Sequence, residues 1–152
     1  MKLKLYCIGK ATPKYLETGI ADYAGRIQRY LPLTQQVYKE AKDSAKPQQQ
    51  EGRQLLSRIQ PQDYVVALDE KGDSLSSREL ADFLHKHMLH GTAALTWLIG
   101  GAYGLAAEVK QQAHKQLCLS PMTLPHGLAR LLLLEQIYRG LTIVRGEPYH
   151  NG

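Results

Sequence analysis

Strand-like runs alternate with helix-like stripes along the whole of this 152-residue chain, and no other feature of the sequence narrows its fold as far. KLKLYCIG, LTQQVYKE, DYVVALD, AALTWLIG and QLCLS read as strands, LTQQVYKE being polar enough for an edge. Between them, KYLETGIADYAGRIQRYL sets Leu16, Ile20, Tyr23, Ala24, Ile27 and Leu31 on one helical stripe. AKDSAKPQQQ reads as a polar loop leading into a helix around QEGRQLLSRI, and LAAEVKQQAHK reads as a further helix. Ser76 and Glu79 have capping-box spacing, with Leu75 and Leu80 flanking them as a hydrophobic staple, so a helix starts there and runs to about His90. Alternating βα units predict an α/β protein with a mostly parallel sheet and helices on both faces. Neither a repeat nor a linker interrupts the pattern, so residues 1–152 are expected to form a single domain.

Composition limits the classes open to such a chain. No apolar run approaches the roughly 18 to 20 residues a bilayer span requires, and the apolar stretch of MKLKLYCIGK is too short and interrupted for a signal peptide. A cytoplasmic protein without a membrane partner is expected. Cys7 and Cys118 stand in separate strands outside any CxxC or Cys/His spacing, and read as reduced core residues. The net charge of +5 is uneven: residues 1–58 hold 11 Lys and Arg against 5 Asp and Glu, and residues 59–152 hold 8 against 9. Such a basic first third suits either an anionic partner such as nucleic acid or a surface tuned for solubility. His85, His87 and His90 do not make a metal site, because only His87 and His90 share a helical face and no further ligand is suitably spaced.

In open α/β sheets ligands bind beyond the C-terminal strand ends, so three loops become candidates: ALDEKGDS, WLIGGAYGL and LCLSPMTLPH. In the first, Leu68 closes a strand, Gly72 reads as a turn residue, and the adjacent Asp69 and Glu70 are read as turn residues too. The glycines of the second have GGxxG spacing, which disfavours a nicotinamide site, and there is no P-loop. After the third loop comes a helix apolar over most of its circumference: Leu131, Leu133, Leu134, Ile137, Tyr138 and Leu141 leave only a narrow stripe of Glu135, Gln136 and Arg139. That helix calls for two partners, its own sheet and something else, most economically a second copy of the chain. Glu135 and Arg139 have the i,i+4 spacing of a surface ion pair. His126, behind Pro125 at the first turn, is expected to stay neutral because the helix dipole disfavours imidazolium; it serves either as a proton or hydrogen-bond acceptor or as a packing residue.

LIGGAYGL, LSPMTLPHGLARLLLLEQIYRG and the terminal GEPYHNG, with the opening KLYCIGK and ALDEKG, together resemble the ribosomal large-subunit pseudouridine methyltransferase H family over the full length of the chain. These are small SPOUT-class, S-adenosylmethionine-dependent RNA methyltransferases. The resemblance implies a C-terminal trefoil knot, an obligate homodimer whose interface includes the last helix, and a cofactor pocket built from the three loops. The cofactor positions it implies are Leu68, Gly100, Gly101, Leu119, Ser120, Pro121, Met122, Thr123 and Leu124. The reaction it implies is methylation of N3 of a pseudouridine in large-subunit ribosomal RNA on the assembled ribosome, with no metal.

Transfer of a methyl group from a sulfonium to nitrogen is an in-line displacement, so alignment supplies most of the help. The imide nitrogen must lose its proton, which calls for a base or for a group that stabilises the anion. His126, His150 and Tyr149 are the candidate catalytic residues, the last two helping to place the base. Arg130 and Arg139 are candidate contacts to RNA or to the partner subunit. The tail departs from the family pattern at Asn151, where a basic residue is usual, and Ala102 and Tyr103 also differ from many relatives; Tyr103 is read as filling space. The rival readings are a non-catalytic RNA-binding dimer of the same fold and a methyltransferase acting on transfer RNA, with a nucleotide-binding oxidoreductase more distant.

Overall fold

The computed structural model describes residues 1–9, 11–42 and 44–152. Lys10, in the opening segment, and Asp43, in the stretch read as a polar loop, lie outside the described residues. The order of elements is β1 (Lys2–Ile8), α1 (Lys14–Ile27), β2 (Leu33–Tyr38), α2 (Pro47–Leu56), β3 (Asp63–Ser74), α3 (Ser77–Leu89), β4 (Ala94–Ile99), α4 (Ala107–Gln112), β5 (Lys115–Cys118) and α5 (His126–Arg145). The strands form one sheet in the order β2-β1-β4-β3-β5, with every pairing between named strands parallel. The polar strand β2 is at an edge, as its composition predicts.

Period-2 alternation divides the sheet between two helical layers. Leu3, Leu5, Cys7, Val66, Leu95, Trp97 and Ile99 pack on one face with residues of α1, α3 and α5. Tyr6, Ile8, Val65, Ala67 and Leu98 pack on the other with Leu55 of α2 and Val109 of α4. Burial pushes the Cys7 thiol up to about 12, so this free cysteine is an inert core residue. Ser76 caps α3 through a complete capping box with Glu79, and Leu75 and Leu80 meet in the same core. His87 packs edge-on against Phe83 and tilted against Tyr64, and its Nδ1 shares a hydrogen bond with Thr92 Oγ1 at 2.7 Å. Among the described residues no helix is long and apolar enough to cross a membrane.

One expectation is corrected here and another is refined. Residues 69–72 are not a turn that ends β3: the strand continues to Ser74, and Leu117 pairs with both Leu68 and Asp73, so the four intervening residues bulge outward. Gly72 is needed for close approach rather than for a positive φ, since a Cβ there would lie 2.7 Å from the carbonyl carbon of Gln116. The second partner of α5 is first of all its own chain. α5 runs between α1 and α3, with Gly127 against Thr12, Gly140 against Leu84 and Leu131 against Gly19. Leu133, Leu134, Ile137 and Leu141 are all but fully buried, each stabilising the fold by about 1.5–3 kcal/mol of apolar burial.

Candidate active site

A parallel sheet brings all its C-terminal strand ends to one edge, and the ends of β3, β4 and β5 there surround a cleft of about 360 Å³. Its lining includes Leu68, Asp69 and Glu70 from the bulge of β3, residues 99–105 after β4, and Leu119, Ser120, Met122, Thr123 and Leu124 after β5. Of the expected cofactor positions only Pro121, which is exposed, is absent from the lining. Lys110 of α4 closes the wall and pairs with Asp69 at 3.4 Å.

The GGxxG loop is cinched from both sides. Gly104 N donates to Gly101 O at 3.0 Å, and Gly104 has φ +73°, a conformation that favours glycine. A Cβ on Gly100 would lie 2.6 Å from the Gly104 carbonyl carbon, so only glycine permits this closure. From α2, Gln48 Nε2 donates to the carbonyls of Tyr103 at 2.8 Å and Leu105 at 3.2 Å. Glu51, 3% exposed, accepts from Ala41 N at 3.0 Å and lies behind Gly101. Neither Gln48 nor Glu51 was found from the sequence. Glu51 left one trace, a carboxylate four residues before Leu55 on the buried face of α2; Gln48 sits in an unpatterned polar run and left none. Tyr103 corrects the sequence reading: at 68% exposure it fills no space, but stands at the cleft rim as Met122, 77% exposed, does on the opposite loop.

The candidate catalytic residues are placed differently. The His126 ring packs on Gly9 at the end of β1, where a Cβ would lie 2.3 Å from it, and the ring is not part of the cleft lining. Its pKa is lowered, as expected, chiefly by burial and then by the Arg130 charge. Arg130 is 5% exposed beneath α1, with Nη2 donating to Gln35 Oε1 at 3.1 Å and Nη1 to Glu17 Oε1 at 3.5 Å.

Tyr149 and His150 are held by a clasp on the second half of α5. Glu135 Oε1 accepts from Arg139 Nη2 at 2.6 Å, Arg139 Nε at 3.0 Å and Tyr149 OH at 3.1 Å. Tyr149 OH also meets Tyr23 OH at 3.2 Å, and the Arg139 guanidinium lies 4.7 Å from the Tyr149 ring centre. Burial, the Tyr23 hydroxyl and Glu135 together hold the Tyr149 phenol in its protonated form. Arg139 Nη1 is 3.2 Å from His150 Nδ1. A guanidinium can only donate, so in this contact Nδ1 accepts and Nε2 is left as the ring's donor. Glu135 and Arg139 are thus no bland surface pair; half-buried, they pin the tail. Arg78 Nε reaches the Gly152 carbonyl at 2.7 Å, so the tail is anchored beyond Asn151 as well.

A family model described as "Predicted SPOUT methyltransferase" matches residues 1–150. The ribosomal RNA large subunit methyltransferase H of Syntrophotalea carbinolica is 52% identical over 155 residues, covering 99% of each chain. The protein of the same name from Trichlorobacter lovleyi is 44% identical, covering 99% of this chain and 100% of its own. A solved structure of a probable methylase family protein from Haemophilus influenzae Rd KW20 shares the fold at a TM-score of 0.57 and 12% identity, covering 99% of this chain and 70% of that one. Sequence matches of this extent, on a fold of this kind, decide the matter: the chain belongs to the SPOUT methyltransferase family.

Proposed function

We propose that this protein methylates N3 of a pseudouridine in large-subunit ribosomal RNA, using S-adenosylmethionine, as a cytoplasmic homodimer acting on the assembled ribosome. The observation that carries this reading is the convergence of the bulge of β3, the GGxxG loop and residues 119–124 on one cleft. The names of the 41–52% identical relatives supply the RNA.

The residues present fit the cofactor. The cleft volume is within the roughly 300–1,000 Å³ of small-molecule sites. Gly100 and Gly101 keep a backbone cradle open that side chains would fill, and Leu68, Leu119 and Leu124 offer apolar wall. With Asp69 paired to Lys110, Glu70 leaves the lining net negative for a group that carries both a sulfonium and an ammonium. When bound, S-adenosylmethionine supplies an electrophilic methyl carbon. The rest falls to the chain: the cinched loops fix the donor's orientation, and the rim residues Tyr103 and Met122 offer apolar surface to an incoming base. In this reading the imide proton passes to solvent water, His150 Nε2–H, steadied by Arg139, stabilises the resulting anion, and Tyr149 keeps its own proton and positions the tail. The trefoil knot belongs to the same reading, with residues 119–124 as the stretch that the chain must thread.

The test is methyl transfer from labelled S-adenosylmethionine to assembled ribosomes, free large subunits and naked ribosomal RNA that lack the modification, with the product nucleoside identified by mass spectrometry. Methylpseudouridine formed mainly on assembled ribosomes is expected. Cofactor binding without transfer to any of these would refute the target, and absence of both would favour an RNA-binding protein without turnover.

A further inference from the structure

Beside the cleft lies a second concavity, of about 220 Å³, at the C-terminal ends of β1 and β2 on the same edge of the sheet. Arg130, Lys39, Tyr38, Glu17, Thr12 and Gly9 are in its wall. Arg130 has a polar environment too poor for a buried guanidinium. Of its five N–H donors, one meets the neutral Gln35 and one makes the long 3.5 Å contact to Glu17, whose side chain is 49% exposed. Among the described residues Arg130 Nε has no partner, and neither does the adjacent buried His126 Nδ1. Buried polar atoms left without partners in a folded protein call for an explanation, and here they flank an open concavity.

We propose that this concavity binds a backbone phosphate of the RNA substrate, with Arg130 as its buried donor and Lys39 as its exposed one. The inference deepens the proposed function and rests on it. A guanidinium presents paired donors to a phosphate, and a lysine at the mouth adds a point charge. Position favours an RNA phosphate over a free anion or a partner carboxylate. The gap between β1 and β2 is two strand spacings, or roughly 10 Å, from the gap between β4 and β3 where the cleft opens. One strand of RNA lying along the sheet edge reaches both. Basic residues 1–58 supply the surrounding field. Among the described residues Glu17 is the one carboxylate in the wall; it steadies Arg130 when no anion is bound and opposes one that arrives.

That opposition gives the decisive test. Binding of the dimer to large ribosomal subunits lacking the methylation is measured against salt for the wild type and for Arg130→Gln, Arg130→Lys, Lys39→Ala and Glu17→Gln, with cofactor affinity and sedimentation in parallel. Arg130→Gln is expected to weaken binding about tenfold at fixed salt, with Arg130→Lys in between and cofactor affinity unchanged. Lys39→Ala is expected to reduce the slope of log affinity against log salt by about 1. Glu17→Gln is expected to tighten binding, whereas a merely structural Arg130–Glu17 pair predicts no gain. Should Arg130→Gln fail to fold, the exposed positions Lys39 and Glu17 decide the matter. Unchanged affinity and slope in folded variants would overturn the proposal. So would dissociation of the Arg130→Gln dimer, which assigns the concavity to a second copy, or inorganic phosphate binding that RNA does not displace, which assigns it to a free anion. A wild type that neither binds particles nor transfers methyl would instead sink the proposed function itself.

Discussion

Replacing Gly100 by alanine tests whether the cleft depends on closure of the GGxxG loop. The added Cβ would lie 2.6 Å from the Gly104 carbonyl carbon and 2.8 Å from both the Gly104 oxygen and Leu105 N. Ordinary carbon contacts lie at about 3.5–4.0 Å, so one side of the loop must retreat by roughly 1 Å. All three obstacles are backbone, and Gln48 tethers that backbone through the carbonyls of Tyr103 and Leu105, so no side-chain rotation relieves the clash. Overpacking of this kind costs about 1–3 kcal/mol. For a chain of this size that lowers Tm by roughly 3–10 °C. Displacement of about 1 Å at a site that works by alignment costs on the order of 100-fold in rate. The matched control is Gly25→Ala in α1, where the added Cβ meets nothing within 4 Å. An exposed helical glycine replaced by alanine gains about 0.5–1 kcal/mol, so Tm should rise while methyl transfer holds. Thermal melts and single-turnover methyl transfer on the two variants decide it. A Gly100→Ala protein that melts and transfers methyl like the wild type would refute the argument that this loop is closed by backbone contact.

Ser76→Ala removes the α3 cap and should cost about 1 kcal/mol, read as a fall in the denaturant midpoint with no change in m-value. Burial lowers the folded-state pKa of both His87 and His126 below the usual 6.5. The unfolded chain therefore binds protons first: stability is fully present above 6.5 and falls as pH drops through the lower folded values, and a His126→Asn variant should show a flatter acid limb in melts against pH. Tyr149→Phe deletes the hydroxyl that joins Tyr23 and Glu135 and should raise the exchange rate of tail amides without shifting the global Tm by more than a few degrees. If the protein is the proposed homodimer and the tail of one subunit serves the cleft of the other, a mixture of Gly100→Ala with a variant truncated before Tyr149 should recover methyl transfer well above that of either parent.

Order along the chain was legible because it is local. Strand and helix periods, the Ser76 cap and the edge character of β2 are written in neighbouring residues. The three loops were legible because a parallel sheet has to deliver its strand ends to one edge. What escaped depends on contacts between distant residues. Gly72 signals equally a positive φ and a close approach, and only its neighbour Gln116 separates the two. The apolar circumference of α5 announced two partners, but Gly19, Gly127 and Gly140, which let α1 and α3 close on it, carry no mark of their partner in the sequence. Glu135 and Arg139 gave their i,i+4 spacing and nothing of the tail that returns to them through Tyr149 and His150.

The geometry of α5 makes the mixing experiment a strong one. Ala129, near its start, lines the cleft, and Arg139, ten residues on, holds His150. At 1.5 Å per residue those points are about 15 Å apart along the helix axis. The chain leaves α5 at Gly146, in a left-handed conformation, and turns back onto the helix, where Tyr149 reaches Glu135 and Tyr23. The tail is therefore fixed on the middle and far half of a rod whose first turn forms the cleft wall, and neither Tyr149 nor His150 lines its own cleft in this arrangement. For residues at both ends to meet one substrate, either the clasp opens or a second rod lies across the first. Opening would break the Tyr149 bonds to Glu135 and Tyr23 and the Arg139–His150 contact, and should make methyl transfer faster when the clasp is weakened by Glu135→Gln. Two crossed rods require the clasp intact, and the same substitution should then slow methyl transfer while leaving cofactor binding alone.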